Sequence, residues 1–267
     1  MQKKYSGNMP YYTFDELEKP PFDFIRFAVS TREGGVSEGE ALGTLNMGSK
    51  TRDSKENVQE NYRRFCSALG FDAQKVVLGN QTHSKNVRLV TKADAGKGVF
   101  CDRDYDDVDS IITNTPEITL AIHTADCVPV TLIDTKNKAI GNAHCGWKGT
   151  FSCLAEITLK EMNKAFGTVA ENVTAIIGPC IHKCCYEVSE DLYSQFLEKF
   201  NDNSLIFKEN DRFFLDLPGI NKKILENSCV KNVLMSDLCT CCNKDIFYSH
   251  RGLGPERGIF ATFIQIK

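Results

Sequence analysis

Between residues 76 and 143, six short β-rich runs follow one another with no helical period among them: 76–78, 87–90, 110–113, 118–122, 130–133 and 139–143. After Gly149 the pattern changes. Phe151, Leu154, Ala155, Thr158, Met162, Ala165 and Phe166 recur at helical spacing up to Gly167. A second helix is predicted after Ser189, using Leu192, Phe196 and Phe200, and a third from Asp216, with Pro218 in its first turn. Further strand runs stand at 24–29, 173–177, 233–235 and 258–264. Strands clustered with few helices, and no regular βα alternation, predict an α+β fold in which sheets and helices stack, not a doubly wound one.

The 267 residues, 42% hydrophobic and 25% charged, suit one large domain. Residues 1–23, which end in Lys19-Pro20-Pro21, read as an N-terminal arm or edge segment, and 24–267 as the domain proper. Asp53 or Ser54 is placed to cap a helix carrying Val58, Tyr62, Phe65, Cys66 and Leu69 on one face, with Gly70 as its stop. A net charge of -3 supplies no basic field for nucleic acid or anionic membrane. With no apolar run of bilayer length and no signal-peptide core at Met1-Gln2-Lys3-Lys4, a cytoplasmic protein is expected. The twelve cysteines then read as reduced thiols.

Candidate ligands fall near the ends of the β-rich runs. His83 lies between the first two, Cys127 before the fifth, and His144 is expected just after the sixth. Two imidazoles and a thiolate suit a zinc ion with a fourth position left open, which is the catalytic pattern. Each histidine alone reads more readily as a satisfied core or surface imidazole than as a ligand, and only the set of three points to a metal. Asp126 is expected to orient a ligand or water beside Cys127, or else to cap a turn. The stretch Gly141 to Thr150 fails the phosphate-loop motif because Trp147 follows Gly146, although backbone N–H groups and Lys148 there suit an anion. Pro179-Cys180-Ile181-His182-Lys183-Cys184-Cys185 misses the nucleobase-deaminase spacing by one residue and lacks a His-x-Glu half. Those cysteines, and Cys239, Cys241 and Cys242, are read as thiols by default, with a structural metal at either group as the alternative. Arg251 and Arg257 lie in a turn-rich stretch, where arginine is solvated or clamps a phosphate or purine.

Taken in order, Ser30-Thr31-Arg32-x-Gly34-Gly35-Val36-Ser37, Leu45-Asn46-x-Gly48, Gln81-x-His83, Ala125-Asp126-Cys127-x-Pro129, Ala143-His144-x-Gly146-Trp147-Lys148-Gly149, Ile177-Gly178-Pro179 with Cys185-Tyr186-Glu187-Val188, and Cys239-Thr240-x-Cys242 resemble the laccase-domain proteins. That family, labelled multicopper polyphenol oxidase, is regarded as purine nucleoside phosphorylases with adenosine deaminase and methylthioadenosine phosphorylase activity. The resemblance implies a single-domain layered α/β/β/α sandwich with mixed sheets, shared distantly with cysteine-dependent toxin deamidases, and zinc held by His83, Cys127 and His144. Lys148 stands where the family usually has arginine, and His250 where tyrosine is common.

On this resemblance the chain is expected to be a zinc enzyme acting on purine nucleosides and inorganic phosphate, with neither nucleic acid nor membrane as partner. Asp126, Cys127 and His144 are the expected catalytic groups, Arg32, Lys148 and Arg251 the expected phosphate contacts, and Asn46 a sugar or phosphate contact. Five histidines are too few for four coppers, so copper is expected only as a substitute that supports phenol oxidation. Two rivals are a cysteine hydrolase with Cys127 as nucleophile and His144 as base, and a zinc-stabilised binding module without catalysis.

Overall fold

A computed structural model describes residues 1–267. Its first sheet contains β1 (Gln2–Ser6), β2 (Met9–Thr13), β3 (Ile25–Ser30), β4 (Val76–Leu78), β7 (Thr119–Thr124) and β15 (Phe260–Ile266), in the spatial order β1-β2-β3-β15-β7-β4. The second contains β5 (Val87–Leu89), β6 (Ser110–Thr113), β8 (Val128–Asp134), β9 (Ala139–Cys145), β10 (Val173–Ile177) and β14 (Asn232–Met235), in the order β14-β10-β8-β9-β6-β5. Both are mixed: β4–β7, β5–β6 and β10–β14 pair parallel, and the remaining pairs are antiparallel. A small antiparallel sheet of β11 (Glu187–Val188), β12 (Ile206–Glu209) and β13 (Arg212–Leu215) lies apart from them. The helices are α1 (Lys55–Leu69), α2 (Trp147–Phe151), α3 (Leu154–Phe166), α4 (Glu190–Phe200), α5 (Leu217–Asn227) and α6 (His250–Leu253).

Side-chain alternation along each strand builds the layers. Ala121, Ala261 and Phe263 face Val58, Tyr62, Phe65 and Cys66 of α1. On the other face of the first sheet, Leu120, Ile122, Phe260 and Ile264 meet Ile111, Ile133, Ile140 and Ile176 of the second. The far face of that second sheet presents Val130, Leu132, Ala143 and Ala175 to Leu154, Leu159 and Met162 of α3 and Ile220 and Ile224 of α5. The result is the layered α/β/β/α sandwich with mixed sheets. Because central strands are buried on both faces, apolar residues dominate both of their faces, and the few polar ones, such as Thr131 and Asn142, are buried too.

Local chemistry explains the helix ends. The Ser54 hydroxyl accepts the Asn57 N–H, and α1 stops at Gly70, whose φ of 74° is open to glycine. Ser189 caps α4 and Asp216 caps α5 in the same way. Residues 1–23 form a hairpin and a turn on the first sheet's edge, and Tyr12, Phe14, Leu17 and Phe22 enter the inter-sheet core. The β12–β13 hairpin has no counterpart among the predicted strands. Its two-residue turn, Asn210-Asp211, has φ of 47° and 59°, the doubly left-handed turn that such short side chains tolerate. No helix is long and apolar enough to cross a membrane.

One polar side chain pins the sheets together. Asn142, wholly buried on β9, donates to the carbonyls of Thr262 (2.9 Å) and Leu120 (3.4 Å) in the opposite sheet, while its own carbonyl accepts the Thr131 hydroxyl (3.0 Å). Asn142→Leu keeps the volume but strands that hydroxyl. Denaturant unfolding is expected to show a loss of about 1–3 kcal/mol with an unchanged m-value.

Candidate metal centre and its cleft

The chain crosses between the two sheets at one end of the sandwich, and the crossings carry the chemistry. The β4–β5 connection brings His83, the β7–β8 turn brings Cys127, and β9 brings His144. His144 is the penultimate residue of β9, within the strand instead of after it, and pairs with Pro129. The Cys127 sulfur lies 3.7 Å from His83 Nε2, the two imidazoles are 4.9 Å apart between centroids, and the three donor atoms lie within 4.8 Å of one another. Gly146 leaves room for them: a Cβ there would come 2.7 Å from His83 Cδ2 and 3.0 Å from the Cys127 sulfur.

Asp109 organises this trio. Fully buried just before β6, it accepts His144 Nδ1 at 2.7 Å, the N–H groups of Thr82, His83 and Ser84 at 3.0, 3.0 and 2.7 Å, and the Ser84 hydroxyl at 2.9 Å. Burial alone would raise its pKa, but the His144 ring and these N–H groups hold it well below the usual carboxylate range. One carboxylate thus orients His144, turning Nε2 towards Cys127, and fixes the turn bearing His83, whose φ is 66°. Nothing in the sequence singles out Asp109, since Asp102, Asp104, Asp106 and Asp107 stand close by.

The sulfur and the ring perturb each other. Against the burial that would raise it, the charge and hydrogen bonding of His144 and then His83 bring the Cys127 pKa down to about 6. Burial would lower the pKa of His144, yet the Cys127 charge and Asp109 raise it to about 10. Both shifts favour the thiolate and imidazolium forms of the metal-free pair. A metal would take the proton's place on His144, because only a neutral imidazole donates its lone pair. The donor set, one thiolate and two imidazoles with the remaining side open to a cleft, fits zinc in a catalytic arrangement.

The cleft has a volume of about 470 Å³ and is bounded by Trp147, Ile181, Tyr186 and Ile259, with Lys50, Arg103, Arg251 and Arg257 supplying positive charge. The Arg257 side chain has a single hydrogen bond, to the Pro255 carbonyl at 3.3 Å, and its Nε is buried without a partner. His123 also lines the cleft. Burial pushes its pKa down to about 3 and its Nε2 meets the Tyr62 hydroxyl at 2.7 Å, so it stays neutral.

Several expected contacts lie elsewhere. The Arg32 guanidinium stacks on Tyr248 and donates to the carbonyls of Lys244 (2.7 Å) and Glu40, outside the cleft. Asn46 is wholly buried, its amide nitrogen bonded to Gly48, Thr51 and Asp53 and its carbonyl to the N–H groups of Gly48 and Ile259. That pattern holds a loop together. Lys148 is exposed over the ring of Trp147, a cleft residue, but does not itself line the cleft. Arg251 does line the cleft, but its guanidinium bonds the carbonyls of Cys185 and Glu187, both at 2.9 Å. Asp126, at a φ of 96°, accepts the Thr240 hydroxyl and the Arg251 N–H, both at 2.7 Å. Asp126 lines the cleft, and neither of its oxygens bonds a member of the trio: both frame the turn, while Asp109 orients the His144 ring. Arg257, one of the two arginines of the turn-rich stretch, does line the cleft, whereas Arg103 and Lys50 carry no sequence signal, because an arginine or lysine in a loop has no pattern of its own.

The sequence model of the multi-copper polyphenol oxidoreductase laccase family matches residues 26–267. The chain belongs to this family. Among the family's curated relatives, the purine nucleoside phosphorylase of Deinococcus radiodurans is 36% identical over 91% of this chain and 89% of its own length. Purine nucleoside phosphorylase LACC1 of Mus musculus is 30% identical over 92% of this chain, which spans only 56% of that longer protein. Adenosine deaminase RL5, from an unknown prokaryotic organism, is 29% identical over 94% of this chain and 99% of its own. The crystal structure of YlmD from Geobacillus stearothermophilus superposes with a TM-score of 0.85 at 29% identity, covering 93% and 94% of the two chains. The family's label notwithstanding, the trio offers two imidazoles and one thiolate, short of what four coppers require.

Two outcomes follow. Gly146→Ala pushes a methyl group against His83 and Cys127 and is expected to weaken metal retention about tenfold or more in a chelator competition. In metal-free protein, peptide-resolved alkylation of Cys127 is expected to persist down to about pH 6. In His144→Ala the cation is gone, and the reaction is expected to fade below about pH 8, as for an ordinary thiol.

Proposed function

We propose that this chain is a zinc-dependent purine nucleoside phosphorylase that also deaminates adenosine. Its substrates are adenosine, inosine and methylthioadenosine with inorganic phosphate, and its products the free base and a pentose 1-phosphate. The observation that carries the reading is the placement of three metal-competent donors at the edge of a cleft whose wall holds Arg257 with a buried, unpartnered nitrogen. A desolvated guanidinium without a bond to one of its N–H groups is costly unless an anion completes it. The relatives' names supply the anion and the substrate class.

In phosphorolysis the C1′–N9 bond breaks, a phosphate oxygen bonds C1′, and the departing base takes up a proton. Arg257, with Arg103 and Lys50, neutralises the entering phosphate and holds it for attack. Trp147, Ile181 and Tyr186 offer apolar surface for the flat base. His83, Cys127 and His144 would hold the zinc, which supplies a Lewis acid and lowers the pKa of water, the chemistry that replacing an amino group at purine C6 requires. Asp109 keeps His144 in the tautomer that presents Nε2, a positioning role. A cytoplasmic setting belongs to the same reading, because thiolate ligation needs reduced cysteine.

A second reading is favoured by one specific observation. Cys127, His144 and Asp109 line up as thiolate, imidazolium and orienting carboxylate, the arrangement of a cysteine hydrolase. Zinc content separates the two, since a metal-free protein with full activity requires the hydrolase. Copper loading with phenol oxidation remains a side reaction of the same ligands.

Inosine assayed with and without phosphate is expected to release hypoxanthine only with phosphate, and His83→Ala is expected to abolish release. Equal activity in His83→Ala would overturn the proposal. Arg257→Ala is expected to raise the KM for phosphate about 10- to 100-fold, with a smaller change in the KM for inosine.

A further inference from the structure

Outside the cleft centre a second cluster remains. Cys184 and Cys185 lie in the loop after β10, Cys239 and Cys242 in the loop after β14, and their four sulfurs all lie within 4.8 Å of one another. The spacings are 3.7 Å for Cys184–Cys185, 3.7 Å for Cys184–Cys242 and 3.4 Å for Cys185–Cys242. Four thiolates around zinc at about 2.3 Å each stand about 3.8 Å apart at the corners of a tetrahedron. A disulfide requires about 2.05 Å. The observed spacings match the first figure and not the second.

Three further observations point the same way. Cys184 and Cys242 are exposed, so apolar packing gives no reason to gather sulfur there. Cys239-Thr240-Cys241-Cys242 is a Cys-x-x-Cys knuckle, the commonest half-site of structural zinc. Backbone N–H groups turn towards the buried Cys239 sulfur, that of His182 at 3.4 Å together with those of Cys241 and Cys242, as they do around a zinc-bound thiolate. The two loops are already in register, through the Cys180–Cys239 bridge and the Thr240 N–H to Cys180 carbonyl bond of 2.9 Å.

We propose that Cys184, Cys185, Cys239 and Cys242 bind a structural zinc ion, closed by four thiolates, that clamps the loop after β10 to the loop after β14. The ion is separate from the one assigned to His83, Cys127 and His144. Its ligands are chain neighbours of cleft residues: Tyr186 follows Cys185, the Cys185 carbonyl accepts Arg251, and Thr240 after Cys239 holds Asp126. The clamp therefore braces one wall of the cleft. Tetrahedral S₄ ligation selects zinc or iron, and a closed site with no open position assigns it a structural role.

The test uses the full chain purified under reducing conditions, with zinc and iron counted per chain in wild type, Cys127→Ser and Cys184→Ser/Cys242→Ser. The double variant is expected to hold one zinc fewer than wild type, and Cys127→Ser to keep the ion that the double variant loses. Cobalt placed in Cys127→Ser is expected to give the intense visible and charge-transfer absorption of a tetrathiolate centre. These readouts do not depend on whether the cleft holds zinc or the chain cleaves nucleosides, so the two proposals fail separately. If the double variant does not fold, Cys127→Ser alone decides: one zinc with the tetrathiolate cobalt spectrum supports the site, and no zinc overturns it. Unchanged zinc in a folded double variant, iron in place of zinc, or a Cys185–Cys242 disulfide found by peptide mapping also overturns it.

Discussion

The buried carboxylate of Asp109 ties the β4–β5 crossing to β9. A charge removed from water survives only where its lone pairs are used, and here two oxygens take six hydrogen bonds from Thr82, His83, Ser84 and His144. Those donors belong to segments more than twenty residues apart, so satisfying the carboxylate assembles the trio. The same bonds leave the His144 ring one free nitrogen, and it points at Cys127. Site geometry and charge burial are here a single requirement.

The layered fold explains why the site is where it is. Two sheets packed face to face, each covered by helices, leave their interiors apolar and their strand ends as the place where polar groups meet solvent. His83 and Cys127 ride on the two crossings from the first sheet to the second, and β9 supplies His144 beside them. The opposite wall comes from the loops after β10 and β14, which are joined through Arg251, Asp126 and Thr240. Residues with large charges, such as Arg251 and Asp126, are occupied in holding backbone there, whereas Arg257 keeps a donor unspent.

Much of this was legible in the residues. The central strands and the helices α1, α3, α4 and α5 announce themselves through apolar runs, period and caps, because burial and capping are local demands. The trio was legible as a spacing of metal-competent side chains next to strand ends. Of the residues expected to hold phosphate, Arg251 lines the cleft, whereas Arg32 and Asn46 sit in a glycine-containing stretch where their bonds close loops: those of Arg32 to Lys244 and of Asn46 to Ile259 span more than two hundred positions. Asp109 was hidden among other acids, and the β12–β13 hairpin behind a turn, Asn210-Asp211, without glycine.

By itself, then, the sequence determined what depends on neighbours in the chain: which segments become strands or helices, that the sheets would stack, and which three side chains were fit to bind a metal. Tertiary structure decided which of the many carboxylates is buried against His144, which arginine faces the cleft with a free N–H, and that four cysteines from two distant loops share one corner. These choices rest on contacts across the fold, where burial strips away water and makes each unpaired charge or donor count, and no local pattern carries that information.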